Sequence, residues 1–284
     1  MTRTSDTDNG AHARGFERQL ETEGLFVLPG QPFLPTPLEA DLVSPRYAGA
    51  RAKNISLGPD GAVRGAAAEP EILERLAALM RRYRDWASAT LAEHAPTYAS
   101  MLETGRTSLR TREVAEGAES PRKDDRRLHV DAFASQPTGG KRILRVFTNI
   151  NAEGAPRDWR IADEPFEAHA RRWVKSLRLP LPGEAWLLKT LRVTRARRTP
   201  YDAMMLGLHD AAKLDDAYQR TGPARPISFP AAASWIVFTD SVPHAALRGR
   251  FLLEQTFYLP VTAMAEPALS PLRVLESLTG RSLA

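Results

Sequence analysis

The feature that most constrains this chain is a set of short strand-like runs on both sides of a helix-rich segment. Runs with strand composition occupy residues 128–133, 141–150, 158–162, 227–229, 234–240 and 244–261. Turn residues separate them, and the last run is typical of a β-hairpin that turns at Arg248–Arg250. Many short strands divided by turns favour a barrel or a jelly roll. The sequence therefore predicts an α+β protein with a mainly β core.

Helical periodicity predicts the elements around these strands. Apolar residues recur at helical spacing over residues 70–91, with Glu69 and Glu71 where the helix dipole favours acidic groups. Two further helices are predicted inside the strand region, at 165–177 and 201–218, and a short one closes the chain at 271–278.

The remaining segments predict the domain organisation. Residues 1–20 are polar and are predicted to be a disordered tail, and residues 103–126 are charged and read as an exposed loop. We expect a single domain over residues 21–284, in which a helical part, 21–125, packs on a barrel core, 126–265.

Composition and charge narrow the possible functions. The chain has no cysteine, which excludes a disulfide framework, a thiolate nucleophile and a cysteine metal site. No stretch approaches the ~20 apolar residues of a membrane span, and no signal-like apolar segment is visible near Met1, so we expect a cytoplasmic protein. The net charge of +5 favours anionic partners, or reflects a genome that uses arginine often. No nucleic-acid motif accompanies it, so we expect no nucleic-acid partner.

The strongest chemical signal is the triplet His129-Val130-Asp131. Residues i and i+2 of a strand point to the same face, so this imidazole and carboxylate converge. One further histidine would complete the facial triad of non-haem iron(II) oxygenases. Of the six histidines, His244 fits, because it begins a late strand. The alternatives are a chance His-x-Asp pair and a histidine satisfied within the core.

A keto-acid cosubstrate would also need a cation for its far carboxylate, which arginine can bind in a bidentate way. Arg145 is one candidate, because it lies among apolar neighbours in the strand after the His-x-Asp triplet. Arg250 is the other, at the start of the strand after His244, and an ordinary solvated arginine is the alternative for both. Asn149, further along the strand of Arg145, is a candidate hydrogen-bond partner of the keto acid.

Longer blocks of sequence are more specific than the triplet. They occupy residues 53–57 (KNISL), 128–151 (LHVDAFASQPTGGKRILRVFTNIN), 156–161, 201–219 and 234–260. In these blocks the chain resembles the Kdo 3-hydroxylase family, enzymes that hydroxylate 3-deoxy-D-manno-oct-2-ulosonic acid (Kdo) in the inner core of bacterial lipopolysaccharide.

The resemblance implies a double-stranded β-helix of the jelly-roll or cupin-like kind, with flanking and inserted helices. It also implies a dioxygenase that uses iron(II), 2-oxoglutarate and O2 to hydroxylate C3 of Kdo, giving Ko. The family's metal ligands carry over onto His129, Asp131 and His244, whereas Arg145 and Arg250 both stay open for 2-oxoglutarate. Substrate contacts are expected among Arg127, Arg160, Tyr201 and His209.

The implied acceptor is a Kdo-containing lipid A or lipopolysaccharide precursor. We therefore expect peripheral contact with the cytoplasmic face of the inner membrane. The candidate contact residues are basic: Arg122, Lys123, Arg126 and Arg127. The equal alternative is that these residues belong to a solvated loop with no role at the membrane. Two other functions stay open: an oxygenase of the same fold that acts on another small molecule or a protein side chain, and a non-enzymatic cupin-like binding module.

Overall fold

The computed structural model describes residues 5–30, 32–50, 52–114, 120–178, 186, 189–191 and 193–284. Its strands are β1 (Leu25–Val27), β2 (Ile55–Leu57), β3 (Val63–Arg64), β4 (Glu103–Arg110), β5 (Arg142–Asn149), β6 (Arg157–Ala162), β7 (Ala224–Phe229), β8 (Ser234–Phe238), β9 (His244–Arg248) and β10 (Leu252–Leu259). Its α-helices are α1 (Ser5–Glu23), α2 (Pro70–His94), α3 (Pro96–Ala99), α4 (Phe166–Arg171), α5 (Pro200–Leu214), α6 (Asp216–Thr221) and α7 (Pro271–Thr279). Among these described helices, none combines the length and apolar character needed to cross a bilayer.

Two antiparallel sheets form the core. The larger has the order β1-β8-β5-β10-β4-β2-β3, and the smaller has the order β7-β6-β9. Aromatic side chains pack between them: the ring of Trp159 in β6 lies 5.1 Å from Phe147 in β5 and 5.5 Å from Trp235 in β8. This sandwich confirms the predicted jelly-roll architecture with its mainly β core.

The helices cover the outer face of the larger sheet. Leu144 and Val146 alternate with Arg145 and Phe147 along β5, because successive side chains of a strand point to opposite faces. The outward residues belong to an apolar cluster that includes Tyr98 of α3 and several residues of α5. The inward residues of β5 therefore face the smaller sheet, where a site can form between the two layers.

From Ser5, the first described residue, the N-terminal segment is a helix, which corrects the prediction of a disordered tail for the described residues 5–20. α1 begins at Ser5, and Leu20 is fully buried. The carboxylate of Glu21 accepts hydrogen bonds from the backbone N–H groups of Ala265 (2.8 Å) and Glu266 (2.7 Å). Such a polar helix has little apolar periodicity to reveal it, because buried carboxylates as well as apolar residues hold it in place.

The segment predicted as a loop at 103–126 contains a strand of the larger sheet. β4 pairs with β10 on one side and with β2 on the other, whereas residues 115–119 of that loop lie outside the described part of the chain. The strand Glu103–Arg110 is polar, so its composition does not reveal that its backbone is paired on both sides. A strand that lies before the expected division at 125/126 is therefore part of the larger sheet.

The predicted hairpin over residues 244–261 is also wrong. β9 belongs to the smaller sheet and β10 to the larger one, so the chain crosses between layers at the turn. Gly249 takes a φ of +114°, and a Cβ there would lie 3.0 Å from the backbone oxygen of Pro156. A tight turn between two strand-like runs looks the same in sequence whether the strands pair or separate.

Candidate metal centre

His129, Asp131 and His244 come together at the edge of the space between the sheets. His129 and His244 exchange backbone hydrogen bonds of 3.1 and 2.9 Å, and Asp131 N–H donates to the carbonyl of Thr239 at 2.7 Å. The predicted strand at 128–133 is thus reduced to an isolated bridge in extended backbone. One ligand atom from each of the three side chains lies within 4.8 Å of the other two. The structure thus brings together the three residues that the sequence predicts as metal ligands.

The orientation of both imidazoles suits a metal ligand. The Nδ1 atom of His129 lies 2.7 Å from the carbonyl oxygen of Arg127, and that of His244 lies 2.9 Å from the carbonyl oxygen of Val242. Because a carbonyl can only accept, each Nδ1 carries the proton and each Nε2 keeps its lone pair. His129 Nε2 lies 3.8 Å from Asp131 Oδ1, so these atoms face a common point. Two imidazoles and a buried carboxylate, whose Oδ2 lies 3.3 Å from Arg145 Nη1, fit the donor set of an iron(II) facial triad.

Electrostatics keep these three groups in the forms that bind a cation. Burial lowers the pKa of His129 well below its usual value, and it also lowers the pKa of His244, so both rings are neutral near pH 7. Burial, the largest single influence, would raise the pKa of Asp131, but Arg145, His244, His129 and a hydrogen bond from Thr239 together outweigh burial and lower it. The carboxylate is therefore ionised.

Arg145 lies beside this cluster, buried between two carboxylates. Its Nη1 is 3.3 Å from Asp131 Oδ2 and 3.1 Å from Glu254 Oε1. Its Nε is buried and has no hydrogen-bond partner. A buried guanidinium that keeps a donor free has room for a further acceptor, and a carboxylate is the acceptor whose geometry matches its fork.

Behind Arg145 lies a chain of alternating charges that the sequence analysis missed. Glu254 Oε2 accepts from Arg110 Nη2 at 2.8 Å, and Arg110 Nη1 lies 3.5 Å from Asp125 Oδ2. Asp125 in turn pairs with Lys53 at 2.5 Å. The run FLLEQTFYL contains one charged residue, Glu254, and this single charge within a strand is the signal that points to this network.

The other two candidates for cosubstrate binding have different roles in the structure. Asn149 donates both amide hydrogens, to the carbonyl oxygens of Ala155 (3.0 Å) and Phe229 (3.1 Å), so it holds a loop and has no donor left for a keto acid. Arg250 lies at the surface, where its Nη2 pairs with Glu153 Oε2 at 2.6 Å. The geometry favours Arg145 over both.

Of the four expected substrate contacts, two lie near the metal centre. The ring of His209 is 4.9 Å from that of His129, and its Nδ1 contacts the carbonyl of Val130 at 2.8 Å. Tyr201 lines a small cavity together with Asp131 and Phe133. The other two bind backbone carbonyls around the α5–α6 region: Arg127 contacts that of Lys213, and Arg160 that of Gln219 at 3.1 Å.

Comparison with known proteins gives a consistent result. The model of the 3-deoxy-D-manno-oct-2-ulosonic acid (Kdo) hydroxylase family matches residues 3–282. The crystal structure of the Kdo hydroxylase KdoO with cobalt(II), a non-haem Fe(II) α-ketoglutarate-dependent dioxygenase, is 42% identical, covers 96% of this chain and 92% of its own, and superposes with a TM-score of 0.92. The structure of KdoO with α-ketoglutarate and Fe(III) is also 42% identical, covers 97% and 92%, and has a TM-score of 0.91. No curated protein sequence matches the chain.

Proposed function

The chain belongs to the Kdo hydroxylase family, and from this premise we propose that it is an iron(II)- and 2-oxoglutarate-dependent dioxygenase that hydroxylates C3 of Kdo in the lipopolysaccharide inner core. The observation that carries the proposal is the convergence of His129, Asp131 and His244, with each Nε2 lone pair free and the carboxylate ionised. KdoO, whose structures contain α-ketoglutarate (2-oxoglutarate) and iron, supports the same cosubstrate and metal here.

Within this proposal the three ligands hold iron(II), which when bound supplies the redox chemistry that couples oxidation of 2-oxoglutarate to hydroxylation of the sugar. The protein's own part is orientation. The carbonyls of Arg127 and Val242 fix the tautomer and the ring plane of the two histidines. Arg145 holds Oδ2 of Asp131, which leaves Oδ1 directed towards His129.

We assign the 2-oxoglutarate carboxylate to Arg145. Its guanidinium is buried beside the ligand cluster and keeps Nε without a partner. The 2-oxoglutarate dianion brings an acceptor with the planar geometry that an arginine fork binds. Removal of solvent from this position strengthens the contact, because charges interact more strongly in a low dielectric.

The sheet pairing favours one catalytic domain from α1 to α7. β4 comes from the N-terminal half, β5 and β10 come from the C-terminal half, and β10 lies between the other two. Because the inward residues Arg110, Arg145 and Glu254 belong to these three strands, the site requires both halves of the chain.

The test of this function is succinate release with a panel of acceptors. Kdo-lipid A should stimulate succinate formation and gain one hydroxyl at C3, whereas lipid A without Kdo should not. Stimulation by a different small molecule or by a peptide, and not by Kdo, would indicate the alternative oxygenase. No succinate with any acceptor, together with ligand binding that survives His129→Ala, would indicate a non-enzymatic binding module.

An anaerobic titration tests the metal site independently of the acceptor. Iron(II) and 2-oxoglutarate added together should give the metal-to-ligand charge-transfer absorption of a chelated keto acid. The variant His244→Ala should not give this absorption, and His94→Ala, which changes a histidine outside the cluster, should give it as the wild type does. Equal spectra for the two variants would place the metal elsewhere.

We further propose that the enzyme works at the cytoplasmic face of the inner membrane, because its acceptor is anchored in lipid while iron(II) and 2-oxoglutarate are cytoplasmic supplies. The basic residues expected to dock there are partly neutralised: Arg122 pairs with Asp210 at 3.0 Å, and Arg126 pairs with Asp124 at 3.0 Å. Co-sedimentation with anionic vesicles should weaken as salt rises. If reversal of the charges at 122, 123, 126 and 127 leaves binding intact, another surface makes the contact.

A further inference from the structure

Glu254 lies in the first half of β10, where its carboxylate forms ion pairs with Arg145 and Arg110 but with none of the three metal ligands. From this placement we infer that Glu254 is a positioning residue, which holds the guanidinium of Arg145 with its unpartnered edge open to the carboxylate of 2-oxoglutarate. The inference rests on the proposed function, since it takes Arg145 to be the cosubstrate arginine.

Two carboxylates share one end of the Arg145 guanidinium. Nη1 lies 3.3 Å from Asp131 Oδ2 and 3.1 Å from Glu254 Oε1. A guanidinium is a rigid planar fork, so two contacts at Nη1 from different directions restrict the rotation of the whole group. Nε, which points away from Nη1, is buried and has no hydrogen-bond partner. Without Glu254, Asp131 alone would hold Nη1, and the fork could rotate about that single contact.

Glu254 is itself fixed from behind. Its Oε2 accepts from Arg110 Nε at 3.1 Å and from Arg110 Nη2 at 2.8 Å, which is a bidentate approach by one guanidinium to one oxygen. Arg110 continues to Asp125, whose backbone carbonyl accepts from Ala246 N–H at 2.8 Å in β9. The carboxylate therefore connects β10 to β4 and, through Asp125, to the smaller sheet.

The backbone that carries this carboxylate is constrained on both sides. Glu254 pairs with Phe147 of β5 in a continuous ladder, and with Ser108 of β4 in a ladder that is regular from Leu252 to Gln255 and shifts its register before Phe257. A ligand-binding group is most precise when its support stands on such a paired strand rather than on a loop. Burial alone would raise the pKa of Glu254, but Arg145 and Arg110 outweigh burial and lower it, so the support remains charged.

The competing interpretation is that Glu254 only neutralises buried arginines and stabilises the fold. The chain contains a matched control for that role. Asp240 forms an equally buried pair with Arg142, with contacts of 2.8 and 3.1 Å, and Arg142 lies three positions before Arg145 on the same strand but on its outer face. A variant at Asp240 breaks a comparable pair without touching the metal centre.

The experiment compares Glu254→Gln, Asp240→Asn and Arg145→Gln in the cobalt(II)-loaded full-length protein. The dissociation constants of 2-oxoglutarate and of cobalt(II) and the melting temperature are measured for each. We expect Glu254→Gln to raise the dissociation constant of 2-oxoglutarate about tenfold, with a cobalt(II) affinity close to that of the wild type. Asp240→Asn should lower the melting temperature and leave 2-oxoglutarate binding unchanged.

The outcomes separate this inference from the proposed function. If Arg145→Gln weakens 2-oxoglutarate binding and Glu254→Gln does not, Glu254 has no positioning role and the cosubstrate arginine stands. If neither weakens it, the assignment of Arg145 fails and the inference with it. An equal loss of 2-oxoglutarate affinity in Asp240→Asn would reduce the effect of Glu254 to general stability.

Glu254→Asp serves if the glutamine variant does not fold. It keeps the negative charge that neutralises the arginines, but its shorter arm cannot reach both of them. A folded Glu254→Asp protein with weakened 2-oxoglutarate binding supports the inference, and wild-type binding by this variant overturns it.

Discussion

The two faces of β5 each bury an arginine against a carboxylate, and the two arginines differ in what they leave unused. On the outer face, Arg142 donates to both oxygens of Asp240 and to Ser241 Oγ at 2.8 Å, and its Cζ lies 3.9 Å above the ring of Phe238. On the inner face, Arg145 contacts two carboxylates through Nη1 and leaves Nε without a partner.

Both arginines are buried and charged, so burial and charge do not by themselves indicate a functional arginine. An orphaned buried donor costs free energy, so it points to an acceptor that arrives with a ligand when it lies beside a metal-binding cluster. The carboxylates differ as well. Burial raises the pKa of Asp240 despite its single arginine, whereas two arginines lower the pKa of Glu254. The outer arginine finds all its partners within the protein, whereas the inner one keeps a donor for the ligand that we propose.

The largest effect should come from the inner face, at the metal ligands themselves. Asp131→Ala removes the only carboxylate of the cluster, and metal-ion catalysis supplies several kcal/mol, so succinate release should fall on the order of a thousandfold. Cobalt(II) binding should weaken in parallel. Asp158→Ala, which removes a carboxylate that pairs with Arg248 outside the cluster, is the control and should retain activity. Near-normal turnover by Asp131→Ala would show that another group holds the metal.

The outer face should respond in stability instead of activity. Asp240→Asn leaves Arg142 buried without its counter-charge, which costs about 3–5 kcal/mol of unfolding free energy. Urea unfolding measures this, and the KM for 2-oxoglutarate of the remaining folded protein should equal that of the wild type. Glu153→Gln, in an exposed pair with Arg250, should change the stability by no more than about 1 kcal/mol. A changed KM in Asp240→Asn would remove the distinction between the faces.

A smaller effect should separate Arg145 from Arg250, the two arginines that the sequence leaves open. Arg145→Gln should raise the KM for 2-oxoglutarate about tenfold, since a charge-assisted bidentate contact contributes about 1.5–3 kcal/mol. Arg250→Gln should have no effect, because its side chain is exposed and pairs with Glu153. Steady-state kinetics at saturating acceptor decide between them. If Arg250→Gln raises the KM and Arg145→Gln does not, Arg250 binds the 2-oxoglutarate carboxylate instead.

The smallest effect is in the pH dependence of stability. The lowered pKa of Glu254 means that its ion pairs stabilise the fold above 4.5, its ordinary value, and that this contribution is lost as the pH falls through the folded-state pKa.

Urea unfolding between pH 3.5 and 6.5, values chosen around the ordinary carboxyl pKa of about 4, measures this contribution. The stability difference between wild type and Glu254→Gln should shrink as the pH falls below 4.5, by at most about 1.4 kcal/mol per pH unit. A difference that does not change with pH would mean that burial of Glu254 cancels the charges of Arg145 and Arg110.

The sequence by itself determined the class of fold and the family. The runs that form β5, β6 and β8 are either apolar throughout or alternate between apolar and polar residues, and either pattern predicts a strand. Apolar residues recur with a helical period over residues 70–91, which predicts α2. The triplet His129-Val130-Asp131 could be interpreted because the spacing of side chains along extended backbone is a local property. The partner His244 followed from its place at the start of a late strand.

Only the tertiary structure decided which strands pair and which charges meet. β4 is polar and looks like a loop until β2 and β10 satisfy its backbone, and β9 and β10 look like a hairpin until each joins a different sheet. The sequence leaves both Arg145 and Arg250 open, whereas burial between Asp131 and Glu254 distinguishes Arg145. These outcomes depend on residues far apart in the chain, because ion pairs and sheet ladders are set by the three-dimensional neighbours and not by the local pattern of apolar residues.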